Sequence, residues 1–385
     1  MSAAPRSSSP GRRGRRPTVL ATIVALGLLA ACGDDDPASP ADTTSPADTT
    51  SPVDTSGRLD TSGPLDTSAA VADPTSLATF LAAAPAVEVD EGSLYVVYSD
   101  LDAVGELIGV DRPGDDLDAV MGWAVTLTTD RSDDDSQLAV AMAPRLLVDG
   151  GADPAEMAAE IGWHIGDVAA FFEVSAGPEQ VTLVTGDVTA DDLAAVGGTP
   201  DGDTWKIGEG DDFSSDFDAV TPVRRLGQPL HLAWRDGIAL VSRSRSAAVD
   251  FAAASTSLDG GLGPVAAPLV ALDVHSAILA TLPSSTMLFD AYGVGQAVVD
   301  GARIAVFTYH AGEAGVAALE AAVREALATG GPASMDGTWA ELFPVSEVSV
   351  DGEVVVATVT LAPDTNALVP WRMAMLGDGL AVAVD

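Results

Sequence analysis

The sequence predicts an α+β protein, a body of two halves, each an antiparallel sheet of hairpins backed by helices. Three observations carry this expectation. Asp-Gly pairs at Asp236-Gly237, Asp300-Gly301 and Asp351-Gly352 each separate two β-favouring runs, and that dipeptide accepts the positive φ of a tight hairpin turn. Runs with helical spacing follow the first two hairpins, over 246–254 and 315–328, the second carrying Glu320 and Arg324 at i,i+4. Apolar residues make up 47% of the chain, enough to fill a packed core.

A different kind of sequence precedes this body. Arg6, Arg12, Arg13, Arg15 and Arg16 lead into TVLATIVALGLLAAC, Thr18 to Cys32, with no acidic residue before the cysteine. Positive charge followed by a short aliphatic run is the order of an export signal. As a helix, Val19 to Ala31 spans roughly 20 Å at ~1.5 Å per residue, short of the ~30 Å hydrocarbon core of a bilayer. Residues 1–31 are therefore expected to be a signal peptide. Its ending, Leu29-Ala30-Ala31-Cys32, resembles the lipobox of bacterial lipoproteins, and Cys32 is the chain's single cysteine, so it has no partner for an internal disulfide. Diacylation at Cys32 anchors a protein to the outer face of the cell membrane, each buried CH₂ contributing about 0.8 kcal/mol. The paired arginines raise a twin-arginine route, although Thr18 stands where that motif wants an apolar residue.

Residues 32–73 read as a disordered tether. From Asp34 to Asp73 the chain has no aromatic residue and places Asp at every sixth position from Asp42 to Asp66. One apolar side chain per repeat and frequent prolines cannot build a β-helix core. A flexible coil of this length spans ~35 Å, and its Thr and Ser density permits O-glycosylation. Loss of the five leading arginines takes the net charge from −39 to about −44, which disfavours nucleic acid and anionic headgroups as partners.

The folded part is expected from Pro74, with a first half at 74–283 and a second at 284–385. Pro74 suits position N1 of a helix through TSLATFLAAAP. Leu94 to Tyr98, LYVVY, reads as a strand and 100–108 as the helix after it. Trp123 to Thr128 and Gln137 to Ala143 read as two strands around Asp133-Asp134-Asp135. Asp153-Pro154 caps a helix through Ile161, and a second helical run is expected over 165–174. Gln180 to Val184 alternates as a strand, Thr189-Ala190-Asp191-Asp192 opens a short helix to Val196, and Trp205 to Ile207 is a strand. Hairpins follow over 230–242, 294–309 and 346–361.

Chemical motifs are sparse. His164, His231, His275 and His310 lie far apart, none with a second ligand at zinc spacing. No G-x-S-x-G elbow is present, and Gly293-Val294-Gly295 lacks the third glycine of a phosphate loop. No cofactor is expected. The best metal candidate is the acidic stretch Asp201, Asp203, Glu209, Asp211 and Asp212, but Trp205 holds the fifth place of a calcium-loop count and no glycine holds the sixth, so it reads as a solvated loop. Six tryptophans could line a sugar-binding groove, although at this density they commonly pack in the core.

The runs VTLVTGDVTADDLAAV, VVDGARIAVFTYHAGEAGVAALEAAVREALATG and VSEVSVDGEVVVATVTL resemble lipoproteins of high-GC Gram-positive bacteria that carry no assigned activity. That resemblance covers the chain loosely from Pro74 onward and implies class and location only. The expected function is a membrane-anchored extracytoplasmic module that binds without catalysis, its partner a cell-wall glycan, a hydrophobic ligand or another exported protein. The alternative is an extracytoplasmic hydrolase with dispersed catalytic residues, which would bring His231 or His275 within hydrogen-bond reach of a serine and an acid. Replacement of Cys32 by Ser is expected to abolish metabolic palmitate labelling and release the protein from the membrane fraction. Unchanged labelling and retention would refute the lipobox reading.

Overall fold

LYVVY has no polar residue to turn toward water, and the fold gives it two buried faces. In the computed structural model of the chain it forms β1 (Leu94–Asp100), with Leu94, Val96 and Tyr98 packed into one core layer and Val97 into another. The structure describes residues 73–87, 93–114, 116–129, 137–144, 153–196, 198–255, 258, 261–282, 287–312, 315–332 and 337–376. The expected signal peptide, Cys32 and, Asp73 apart, the tether lie outside them.

The remaining strands are β2 (Val168–Ala176), β3 (Glu179–Gly186), β4 (Thr199–Asp201), β5 (Thr204–Ile207), β6 (Leu230–Arg235), β7 (Ile238–Ser242), β8 (Ser276–Thr281), β9 (Phe289–Val299), β10 (Ala302–Ala311), β11 (Val345–Asp351) and β12 (Val354–Thr360). All twelve join one antiparallel sheet in the order β11-β12-β10-β9-β8-β1-β2-β3-β7-β6-β5-β4. The α+β class is therefore as the hairpins foretold. The described residues fall in one contact unit, and Pro283, the expected boundary between halves, lies outside them in the β8–β9 connection.

Turn chemistry explains the hairpins. Asp236 and Gly237 have φ of 54° and 83°, and Asp300 and Gly301 have 50° and 78°, the doubly left-handed pattern of a type I′ turn. At the third hairpin Asp351 pairs with Val354, so the loop is Gly352-Glu353, one residue later than the dipeptide suggests.

Helices cover both faces. On one side lie α1 (Leu77–Ala83), whose Phe80 packs on Tyr98 of β1 and Phe172 of β2, α6 (Arg245–Ala253), which covers β6 and β7, and α7 (Gly263–Ala271), which covers β9 and β10. The other side carries two groups. The first comprises α2 (Leu101–Ile108), α3 (Leu117–Thr128), α4 (Pro154–Ile161) and α5 (Ala190–Ala195), around Trp163 and Phe171. The second comprises α8 (Val316–Thr329), α9 (Trp339–Leu342) and α10 (Val369–Leu376), around Phe307, Trp339 and Trp371.

Three sequence expectations are corrected. Residues 123–128, expected as a strand, belong to α3, because Val120, Trp123 and Leu127 form one buried stripe at helical spacing. Its partner stretch 137–144 holds no strand among the described residues. Residues 165–174, expected as a helix, form a single 3₁₀ turn, Ile165–Asp167, and then β2, whose side chains are buried on both faces so that no alternation marks them. Pro74 is not at N1; Ser76 caps α1, its side chain accepting from the Thr79 N–H, while the Asp73 carboxylate holds Thr75.

Gly293-Val294-Gly295, the phosphate-loop lookalike, lies inside β9, where α7 packs directly on the strand. A Cβ on Gly293 would stand 2.6 Å from Thr308 Oγ1 and 2.9 Å from Leu279, and one on Gly295 2.9 Å from Val274. Thr308 cannot easily yield, because its hydroxyl donates to the Val265 carbonyl of α7 at 2.8 Å. Gly122 in α3 has nothing within 4 Å of its Cβ position. The same substitution should therefore have opposite signs in urea denaturation: Gly293→Ala is expected to destabilise by about 1–3 kcal/mol through overpacking, and Gly122→Ala to stabilise by roughly 0.5–1 kcal/mol.

Candidate binding site

Strand β1 ends in Asp100, whose carboxylate accepts the Ala103 N–H at 2.8 Å and so starts α2 directly off the sheet. The helix stops at Gly109, which adopts φ 70°, and the Val110 N–H returns to the Gly105 carbonyl at 2.8 Å. A Cβ on Gly105 would lie 2.7 Å from the Val110 carbonyl oxygen, so glycine there lets the loop fold back over the helix. The result is a cavity of about 440 Å³ bounded by α2, by Gly109 to Arg112 and by Trp123 of α3.

Its polar wall is acidic. Asp102, Glu106 and Asp111 are exposed, and Arg112, the one cation in the lining, is committed: its Nε meets Asp102 Oδ1 at 2.8 Å, and its Nη1 donates to Asp187 and to the Asp167 carbonyl at 3.2 Å each. Burial raises the Asp102 carboxyl above the ordinary range, and the Arg112 charge opposes that.

Leu101 and Trp123 also line a second, apolar cavity of about 50 Å³ with Met121, Val125, Leu127, Met142 and Pro144. Its far wall is fastened by the sheet. Ser99 and Ser276, paired across β1 and β8, share a hydrogen bond of 2.8 Å, and Ser99 Oγ accepts the Met142 N–H at 2.8 Å. The Ala141 N–H reaches the Leu127 carbonyl at the end of α3. Outward from this slot, Leu117 and Met121 expose apolar surface one helical turn apart. Trp123 is 5% exposed, and its indole N–H has no hydrogen-bond partner among the described residues, an open donor at the residue shared by the two cavities.

The acidic stretch singled out in the sequence is elsewhere, beside β5 and β6. Arg245 binds Asp201 through Nε and Nη2 at 2.5 and 2.9 Å, and its guanidinium holds the Asp201 carboxyl below the ordinary carboxylate range. Asp212 accepts from His231 Nε2 at 2.9 Å and from the Arg245 N–H at 2.6 Å. Asp203, Glu209 and Asp211 are exposed. Among the described residues no three His, Cys, Asp or Glu side chains converge as metal ligands.

Each histidine named for a hydrolase has part of a relay. His231 meets Asp212, and burial lowers its pKa against that carboxylate's pull; the Ser242 hydroxyl on the paired strand instead donates to the Gln180 carbonyl at 3.0 Å. His275 Nδ1 lies 3.3 Å from Ser276 Oγ, and burial pushes its pKa down to about 4. That pair is 5% and 0% exposed and continues into Ser99, not into a carboxylate. His164 caps the 3₁₀ turn, and His310 meets Asp290 at 2.7 Å. Sequence reasoning missed the cavities around Trp123, because α3 had been read as a strand; the Val120, Trp123, Leu127 spacing was the available signal.

No protein-family model matches the chain, and no curated protein does. Among solved structures the chain is similar to crystal form I of TP0453, with TM-score 0.36 and 8% identity over 78% of this chain and 97% of that one, and to crystal form III, with TM-score 0.34 and 7% identity over 74% and 94%. At these values the likeness carries no argument about fold, ligand or activity.

Asp100 provides a pH test of how α2 is held. Burial raises its carboxyl above the ordinary range, with the Ala103 N–H and Thr75 opposing. A carboxyl whose folded pKa exceeds its unfolded value favours the fold at low pH, and that contribution is lost as pH rises through the folded pKa. Asp100→Asn keeps the cap and removes the buried charge. It is expected to be more stable than the parent at pH 7 in urea denaturation, with the gap closing by about pH 3.

Proposed function

We propose that the chain is a lipid-anchored extracytoplasmic binding module, held to the membrane through Cys32, whose ligand is hydrophobic. The observation that carries this reading is the pair of cavities that both include Leu101 and Trp123 in their linings, one acidic and one apolar, with Leu117 and Met121 extending the apolar surface outside. The acidic cavity, at about 440 Å³, falls in the ~300–1,000 Å³ range of small-molecule pockets, and the apolar one, at about 50 Å³, adds a small apolar recess beside it. A hydrophobic ligand also suits a protein tethered beside a bilayer.

The test uses the uncharged dye N-phenyl-1-naphthylamine with the full chain carrying Cys32→Ser, which removes the acyl chains and their dye-binding background. Emission is expected to rise and shift to the blue on binding. Ala124→Leu places extra volume in the slot and should weaken binding at least about tenfold, the loss of roughly 1.4 kcal/mol of contact. Equal binding by the variant, or none by the parent, would overturn the proposal.

A further inference from the structure

The sheet ends in two edges that are built differently. β4 is three residues long and contains Pro200, which has no N–H to offer. β11 is seven residues long, holds neither proline nor lysine, keeps an unbroken register with β12 and is exposed at every position except Val348. We infer that β11 is a strand-pairing surface for a second copy of this chain, held closed in the single chain by Arg324.

Hairpin geometry decides which backbone groups face outward. Asp351 and Val354 close the loop Gly352-Glu353, so Val345, Glu347, Ser349 and Asp351 bond to β12, while Ser346, Val348 and Val350 turn their N–H and C=O groups away from the sheet. The Val348 carbonyl agrees with this alternation. Arg324 of α8 donates to it at 2.6 Å, and Glu320 accepts from the same guanidinium at 2.9 Å. Among the described residues no other group meets the outward side of β11, so its remaining donors and acceptors are open to a strand.

β11 is complementary to itself in one register. Like charges directly opposite each other destabilise a strand pair. Two-fold antiparallel pairing centred on Glu347 would set that carboxylate against its own copy, and pairing centred on Ser349 would set Glu347 against Asp351. Centred on Val348, all of Val345 to Asp351 pairs with its copy: Glu347 faces Ser349, Asp351 faces Val345 and Ser346 faces Val350, with no carboxylate opposite another. The added strand also covers Val345 and Val350, which are 63% and 41% exposed. Two terms oppose the pairing. The Val348 N–H of the second copy must replace Arg324 at the Val348 carbonyl, which the half-exposed arginine can yield, and a net charge of −39 holds copies apart over distances that salt screens.

Analytical ultracentrifugation of the full chain carrying Cys32→Ser reads the association. Arg324→Met keeps the aliphatic stem on α8 and removes the donors. It is expected to tighten dimerisation by about fivefold or more, the scale of one net hydrogen bond, and added salt should tighten it further. Ser346→Pro in the Arg324→Met background removes an outward N–H without touching the β12 ladder and should restore the monomer. Register is read separately, by oxidising chains that carry one cysteine each in the Cys32→Ser background. A mixture of Glu347→Cys and Ser349→Cys should yield disulfide-linked pairs well above either variant alone, because only the mixture sets cysteine opposite cysteine. Association unaffected by Arg324→Met, a dimer that survives Ser346→Pro, or cross-links formed as readily by one cysteine variant alone would overturn the inference.

Discussion

The centre of the sheet has no face turned to water, and the rest of the structure follows from that constraint. β1, β2, β3 and β8 carry apolar side chains into core layers on both sides, so any polar side chain among them must find a partner within the protein. Thr182 donates to Glu173 on the neighbouring strand at 3.4 Å and Ser276 shares a bond of 2.8 Å with Ser99, both within the sheet, while other buried polar groups of β1, β9 and β10 reach out to a covering segment. Ser99 takes the Met142 N–H, Thr308 donates to the Val265 carbonyl of α7, Gln296 donates to the Ala367 carbonyl at 2.6 Å, and Arg303 gathers the carbonyls of Ala362, Pro363 and Thr365. The buried polar groups thus act as rivets. They set where the covering layers sit, while the apolar contacts supply most of the stabilisation.

The cavities at Trp123 are a product of this arrangement. α2 leaves the sheet directly from β1 and cannot move away from it, because Asp100 belongs to the strand and caps the helix. α3 packs its Val120, Trp123 and Leu127 stripe inward, and the 137–144 segment is held off by the Ser99 contact and the Ala141–Leu127 bond. Three differently anchored pieces meet without interlocking fully, and space remains between them. Leu101, Trp123 and Leu127 of these linings belong to the core, whereas Glu106 and Asp111 are exposed and can carry charge without also having to hold the fold.

Elements bounded by strong local chemistry were legible in the sequence. The hairpins at Asp236-Gly237 and Asp300-Gly301, the Asp153-Pro154 cap and the Thr189–Asp192 capping box lie where their residues indicate, since each depends on atoms within a few positions. What failed were segments decided at long range. VAAFFEV is a strand only because β1 and β3 flank it, and burial on both faces erases the alternation that would betray it. WAVTLT reads as a strand by residue type, yet in α3 Thr126 and Thr128 return their hydroxyls to the Gly122 and Ala124 carbonyls at 2.9 Å, which makes threonine tolerable in a helix. The acidic stretch from Asp201 to Asp212 looked like a cluster because its carboxylates are close in sequence. His231 from β6 and Arg245 from the start of α6 arrive to divide them.

That division points to how charge is used across the body. Basic residues are scarce, and those with defined partners serve as clamps: Arg112 between Asp102 and Asp187, Arg224 on Glu160 at 2.6 Å, Arg245 on Asp201, and Arg324 on Glu320 and the Val348 carbonyl. Each clamp joins elements distant in sequence or ties a helix to a strand, so its positive charge is neutralised within the structure. Exposed carboxylates outside these clamps, such as Asp203, Glu209 and Asp211, stand where salt screens them beyond about 8–10 Å. A cavity wall within that distance of a bound molecule is where their sign can act, and around α2 the carboxylates of Glu106 and Asp111 line the larger cavity. In a chain with so few cations to spare, the carboxylates left without a clamp therefore set the sign of the field along such a wall.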